Sequence, residues 1–191
     1  VGHTGLVAGE ADSLNMVSGE GTVIGAYSAG GLAGAIGITA TKCCFHGTIN
    51  IQTGFTGFAG GLAGRANDAV IENCYAIGTI YGGGSAVGAA GLAWHVDCYS
   101  SGSINNVFCA IVVENAPAYG VASPDSQEKL VADGMYWDEE ATLIESDGNG
   151  ATPLSTSDSK QKSSFPEFDF DEVWDIKDAE SYPFLRWVNA Q

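Results

Sequence analysis

The chain has 191 residues, 27 of them glycine, 45% hydrophobic content and a formal net charge of −16 from 23 acidic and 7 basic side chains. That length suits one domain with a sizeable core or two small ones, and with no running Gly-X-Y triplet it is not collagen. The charge repels phosphate backbones and anionic membrane surfaces, which argues against nucleic-acid partners, and no apolar run of about 18 residues predicts a membrane span.

The chain opens on Val1, with neither an initiator Met nor a signal peptide, and reads as a processed or excised piece of something longer. TGLVAG follows at 4–9, then SLNMVSGEGTV at 13–23. GGLAG stands at 30–34 and TKCCFHGTI at 41–49; GGLAG returns at 60–64, with VIENCYAIGTI at 70–80. AGLAW occupies 90–94, and VDCYSSGSI at 96–104 arrives about six residues early; AYGVA at 118–122 is the last copy. Anchored on Gly31, Gly61, Gly91 and Gly120, the interval is 30, 30 and 29 residues. Five columns emerge by hand alignment: Leu6, Leu32, Leu62, Leu92 and Val121; Met16, Cys44, Cys74 and Cys98; Val17, Phe45, Tyr75 and Tyr99; Thr22, Thr48, Thr79 and Ser103; Val23, Ile49, Ile80 and Ile104.

A repeat this short cannot bury its own apolar face and must stack on copies of itself. Both segments of each copy are short, β-branched or aromatic, and bounded by Gly, Asn or Asp, so they read as strands. The fold class predicted is all-β: a parallel β-solenoid (β-helix) of about four to five coils, closed by a C-terminal aromatic and acidic capping segment. Residues 1–120 carry a net charge of −5 and residues 121–191 one of −11. The composition changes near 122, so the solenoid is placed at 1–122 and the cap, packed on it as one unit, at 123–191.

GGLAG followed by NCYAIGTI resembles the GLUG-motif repeat of bacterial surface and secreted proteins, whose pattern runs roughly Gly-Gly-Leu-Val-Gly and then Asn-Cys-Tyr-x-x-Gly-x-Val/Ile. MYWDEEAT (135–142), SSFPEFDFDEVWDI (163–176) and SYPFLRW (181–187) are similar to the tail that closes such arrays. Ala33, Ala63 and Ala93 stand where that pattern prefers Val, and Trp94 where it prefers Gly. The resemblance implies an adhesin-like context; such repeats also occur in filamentous-haemagglutinin-like proteins and beside the catalytic part of immunoglobulin-A-cleaving metalloproteases, and none of these contexts gives the repeat itself a catalytic role.

Chemistry is hard to find among the residues. The Gly-rich loops lack a following helix or GK[ST], so they read as positive-φ corners and points of close coil approach, not phosphate cradles. Cys43, Cys44, Cys74, Cys98 and Cys109 form no CxxC pair; Cys44, Cys74 and Cys98 share a column, either as a ladder of buried free thiols or with one bridge between adjacent coils. His3, His46 and His95 are scattered, and no GxSxG elbow accompanies them. Lys42 and Arg65 are the only bases in the solenoid, too few for a polysaccharide lyase. Asp138, Glu139 and Glu140 are consecutive and point apart, unlike a glycosidase pair. ESDGNG at 145–150 begins like a calcium loop, but Thr156 stands where the closing carboxylate belongs, so an acidic turn is expected. The threonine column reads as a hydrogen-bonded stack within a sheet. The C-terminal aromatics are either a sugar-stacking platform or, as preferred here, a cover for the open solenoid end with Tyr182 and Trp187 tucked inward.

No catalytic, cofactor-binding or metal-ligating residue is therefore assigned, and no cofactor. The expected function is a non-catalytic bacterial extracellular or cell-surface module, adhesin-like, that binds a host or matrix protein or a glycan. The alternatives are a scaffold or substrate-holding module of a secreted carbohydrate-active enzyme or protease, and a plain stalk.

Overall fold

A computed structural model of the chain describes residues 2–52, 54, 57–83, 88–96, 98–124, 129–147 and 149–190. Each turn of the chain lays down strands that pair with their counterparts one turn away. The first turn has β1 (His3–Thr4), β2 (Ala8–Asn15) and β3 (Ser18–Gly25); the second has β4 (Ser28–Gly30), β5 (Ala33–Thr41) and β6 (Cys44–Ile51). The third has β7 (Phe58–Gly60), β8 (Ala63–Ala66) and β9 (Val70–Tyr81), and the fourth β10 (Gly88–Ala90), β11 (Ala93–His95) and β12 (Gly102–Glu114). β13 (Ala118–Tyr119) and β14 (Leu130–Asp138) follow, then a helical turn α1 (Glu139–Thr142) and β15 (Thr152–Leu154). All these pairings are parallel, and they form a β-solenoid of about four turns. A first face stacks β1, β4, β7, β10 and β13; a second and a third share one long sheet that bends between them.

The glycine anchors mark the corner between the first and second faces. A Cβ on Gly31 would lie 2.3 Å from Gly61 O, one on Gly61 2.1 Å from Gly91 O, and one on Gly91 2.1 Å from Gly120 O. These glycines admit the neighbouring turn, but none has a positive φ, so the expectation of left-handed backbone there does not hold. Beside them Leu32, Leu62, Leu92 and Val121 are fully buried. The first copy is shifted by one residue. Ala8 pairs with Ala33, which puts Val7 opposite Leu32 and Leu6 opposite Gly31. Leu6 and Val7, on the outermost described turn, are 40% and 51% exposed.

The left-handed corner lies between the second and third faces. Met16, Lys42, Asn73 and Asn106 all have φ of 52–54°, and Gly134, opposite Asn106, has 60°. Asparagine and glycine tolerate this region, while Met and Lys occupy it at a cost of about 1 kcal/mol each. From this corner the register runs Cys43, Cys74, Val107, Met135 inward; Ser18, Cys44, Tyr75, Phe108, Tyr136 outward; then Gly19, Phe45, Ala76, Cys109, Trp137 inward again. The expected cysteine column is thereby corrected. Cys43, not Cys44, is the equivalent of Cys74: the third turn carries one extra residue between Ala66 and Val70, and from Val70 onward the register is unbroken through the shared Gly-Thr-Ile. Tyr75 aligns with Cys44, not Phe45.

In the fourth turn the block equivalent to ENCYAIGTI is NNVFCAIVV in β12, with Asn105 opposite Glu72 and Val113 opposite Ile80. Of VDCYSSGSI, Ser103 and Ile104 lie near the start of β12, opposite Val70 and Ile71, and Cys98, Tyr99, Ser100 and Ser101 precede that strand. Cys98, Tyr99, Ser103 and Ile104 leave their expected columns, and Val107, Phe108, Val112 and Val113 take those places. Thr22, Thr48 and Thr79 do pair across turns as expected.

The sheet does not stop at residue 122. β14 pairs with β12 over Gly102–Cys109 and β15 pairs with β14, so two strands of the expected cap belong to the solenoid stack. The stack ends at β15, whose Pro153 lies opposite Trp137 and has no N–H to donate. ESDGNG seals this end: the Asp147 carboxylate accepts from Val121 N (2.9 Å), Ala122 N (3.0 Å), Asn149 N (2.9 Å) and Ala151 N (3.2 Å). Residues 155–190 cover a side, not the end. They run as a clasp across the outward side of the third face, with a small antiparallel pair, β16 (Trp174–Asp175) and β17 (Phe184–Leu185). Tyr75, Phe108 and Tyr136 point outward from the sheet and would be wet without it; Phe165, Phe168, Phe170, Trp174 and Leu185 bury them. Phe168 stacks on Trp174 with centroids 4.3 Å apart.

Candidate functional site

The residues that sequence patterns single out do not converge. Asp138 is fully buried: its Oδ1 accepts from Ala141 N at 2.8 Å and from Thr156 Oγ1 at 2.9 Å, and its Oδ2 from the Tyr182 hydroxyl at 2.7 Å. Glu139 and Glu140 lie exposed on α1, so the three consecutive carboxyls serve the start of a helical turn and the root of the clasp. His3 Nε2 lies 3.3 Å from Glu10 Oε1 at the edge of the second face, in a polar cavity of about 540 Å³ shared with Asp12, Arg65 and Asn67. His46 sits on the third face; the side chain of His95 lies outside the described residues.

The five cysteines are all buried and none is in a disulfide. Cys43 N donates to Cys74 Sγ at 3.4 Å across one turn, while Cys74 Sγ reaches Ala40 O at 3.4 Å. Contact with Cys74 draws the Cys43 thiol below its ordinary pKa, and burial pushes Cys74 well above it. Cys44 points the other way, toward the clasp, with its Sγ 3.3 Å from Ser18 Oγ. Burial raises Cys44 and Cys109 as well. Deep, neutral thiols of this kind pack as small apolar groups.

Another concavity of similar size is made by the clasp itself. Among the ties that hold the clasp along the solenoid, Trp187 Nε1 donates to Lys42 O at 3.1 Å, Trp174 Nε1 to Asn73 Oδ1 at 3.1 Å, Thr156 Oγ1 and the Tyr182 hydroxyl to Asp138, and the Tyr136 hydroxyl to Glu167. Between these ties the clasp stands off from His46 and Ile77, leaving a groove of about 590 Å³. Tyr75, Ile77 and His46 form its floor; Tyr182, Phe184 and Val188 form its aromatic and aliphatic wall. His46 meets Tyr75 edge-on, with centroids 5.3 Å apart, and desolvation lowers its pKa, opposed by the nearby Glu20. Lys160 and Lys177 also line the groove, with Glu180. Lys160 Nζ stands 5.4 Å from the Tyr182 ring centroid. Sequence reasoning weighed Tyr182 and Phe184 as cover and passed over the lysines; the signal available was that Lys160 and Lys177 interrupt an acidic segment.

Residues 59–81, the third turn from Ala59 in β7 to Tyr81 at the end of β9, match the family model described as the GLUG motif. The chain carries a GLUG motif. The matching segment is one turn of the β-solenoid, and the second and fourth turns pair with it residue for residue on the third face. No curated protein and no solved structure matches the chain.

Proposed function

We propose that this GLUG solenoid is a non-catalytic, adhesin-like module of an extracellular or cell-surface bacterial protein, and that it presents the clasp groove to a host or matrix partner. The observation that carries the reading is the groove. It has the size of a ligand site and a mainly apolar and aromatic lining with a few polar groups, which is the usual make-up of such sites. It also stands on a floor fixed by parallel pairing on both sides, so it is shaped before any ligand arrives. The Asp138 and Asp147 carboxylates are spent on backbone N–H groups and the Cys74 and Cys109 thiols are deeply buried, which leaves no paired nucleophile and base among them and favours binding over turnover.

The test is a screen of the purified chain against immobilised host glycans, mucins and matrix proteins, with Phe184→Ala as the groove variant. Selective, saturable binding that the variant weakens is the expected result. Binding to none of them, or binding indifferent to the variant, would remove the groove from consideration as the ligand surface.

A further inference from the structure

The groove is a cationic feature in a strongly anionic protein. Of seven Lys and Arg side chains against 23 acids, two line this one concavity. Among the described residues neither Lys160 nor Lys177 has a carboxylate partner within ion-pair distance. Arg186, by contrast, pairs with Asp175 at 3.5 Å. Placing two unpaired ammonium groups beside Tyr182, Phe184 and Val188 sets a requirement on any occupant. It must bring negative charge and also an apolar face. A neutral lipid or apolar ligand would desolvate the ammonium groups without compensation. A bare phosphate would satisfy them and leave the aromatic wall uncovered.

We infer that the groove binds a carboxylate-bearing pyranose, a hexuronic or sialic acid residue of a larger glycan; this rests on the groove being the ligand surface. The C–H face of a sugar ring packs against Tyr182 and Phe184, as aromatic side chains commonly accept such faces. The carboxylate lies between Lys160 and Lys177, where charge-assisted hydrogen bonds form. His46, held toward its neutral form by the same burial that shapes the floor, and the Ser181 hydroxyl face the sugar hydroxyls. Glu180 at the rim disfavours a second carboxylate and so selects isolated acidic residues over densely sulfated or phosphorylated chains.

Calorimetric or NMR titration of the full chain with free glucuronic, galacturonic and N-acetylneuraminic acids, with glucose and galactose as neutral controls and inorganic phosphate as a plain anion, tests this. At least one acid should bind saturably, about tenfold more tightly than the neutral sugars, the worth of two ion pairs to partly exposed ammonium groups, and more tightly than phosphate, which has no ring face to lay on Tyr182 and Phe184. Lys160→Gln with Lys177→Gln should abolish the preference while the melting temperature stays within about 2 °C of the parent, as for other surface changes. If the double variant folds poorly, Lys177→Gln alone, on an exposed side chain, should still reduce the preference, and added salt should do the same. Equal binding of acid and neutral sugars, phosphate as good as any acid, a variant that keeps the preference, or no binding up to about 10 mM would each overturn the inference. A protein that bound neutral host glycans through Phe184 but showed no acid preference would lose this inference and keep the adhesin-like reading.

Discussion

Two columns hold the backbone where most side chains resist it, and they differ in kind. At the corner between the second and third faces, Asn73 and Asn106 supply left-handed backbone, and Asn73 also holds the Trp174 indole. In the middle of the third face Gly21, Gly47 and Gly78 stack with φ of 146–152°, and a Cβ on Gly78 would sit 1.9 Å from Gly47 O. Here conformation and space act together. Gly78→Ala should therefore lower stability by about 3 kcal/mol or more, read as a fall in the urea midpoint, because neither the backbone nor the adjacent turn can yield cheaply. Gly150→Ala is the control: its φ is 81° but nothing stands within 4 Å of the added Cβ, so about 1 kcal/mol is expected. Equal losses at the two sites would mean that the close approach of turns contributes nothing. The spacing of GTV, GTI and GTI in the sequence revealed the glycine column; its φ values had no sequence signal, and the positive φ expected at GGLAG belongs here instead.

The clasp is an element whose composition was readable and whose position was not. Alternating Phe168, Phe170 and acids announce a segment with one buried face, but no pattern within it names the surface it covers. The answer lay in Tyr75, Phe108 and Tyr136, large aromatics that strand alternation puts on the outside of a solenoid; a correct register for the fourth turn would have exposed that stripe. The interface has a pH signature. Burial first, and then hydrogen bonding to Cys44, Glu167 and Asp138 respectively, raise the phenol pKa values of Tyr75, Tyr136 and Tyr182 far above the ordinary one. A raised folded value means the stabilisation is whole below the unfolded pKa near 10 and is lost as pH rises beyond it. Stability should thus hold steady to about pH 9, where the buried thiols Cys44, Cys74 and Cys109 begin to count, and fall more steeply beyond about pH 10 as the phenols join them, by up to about 1.4 kcal/mol per pH unit for a fully buried phenol such as Tyr75 and by less for the half-buried Tyr182. Urea midpoints across that range, with the phenolate absorbance followed in parallel, should show three of the seven tyrosines ionising only as the protein unfolds. Seven phenols titrating together with the fold intact would contradict this account of the clasp.

At the scale of the molecule, the 30-residue period was enough to predict parallel stacking, because short apolar segments at a fixed interval have no other way to bury themselves. It was not enough to fix the register at either end of the array. The opening copy slips by one at Leu6 and Val7, on the outermost turn, and the fourth copy lengthens between β11 and β12 within the second face, where Asp68 Oδ1 takes up Ser100 N and Ser101 N at 2.7 and 3.1 Å. The two ends of the stack are consequently unlike. One is closed by Pro153 and the Asp147 carboxylate and braced by the clasp; at the other, β2 and β3 pair on one side only, with Leu6, Val7, Met16 and Ile24 exposed. In a stack where each turn is stabilised mainly by its neighbours, opening starts from the end with fewer of them and spreads inward. Amides of residues 8–25 should accordingly exchange with solvent at least about tenfold faster than those of β9 and β12, with β5 and β6 between them, when followed by mass spectrometry of peptides from the intact chain. The gradient should flatten in mild denaturant, since fraying exposes less surface than global unfolding and responds to it less, so the core amides speed up while those at the end hardly change. Uniform protection along the stack would instead show that the clasp, tied to Lys42 at one end and Asp138 at the other, couples all the turns into a single unit that opens only as a whole.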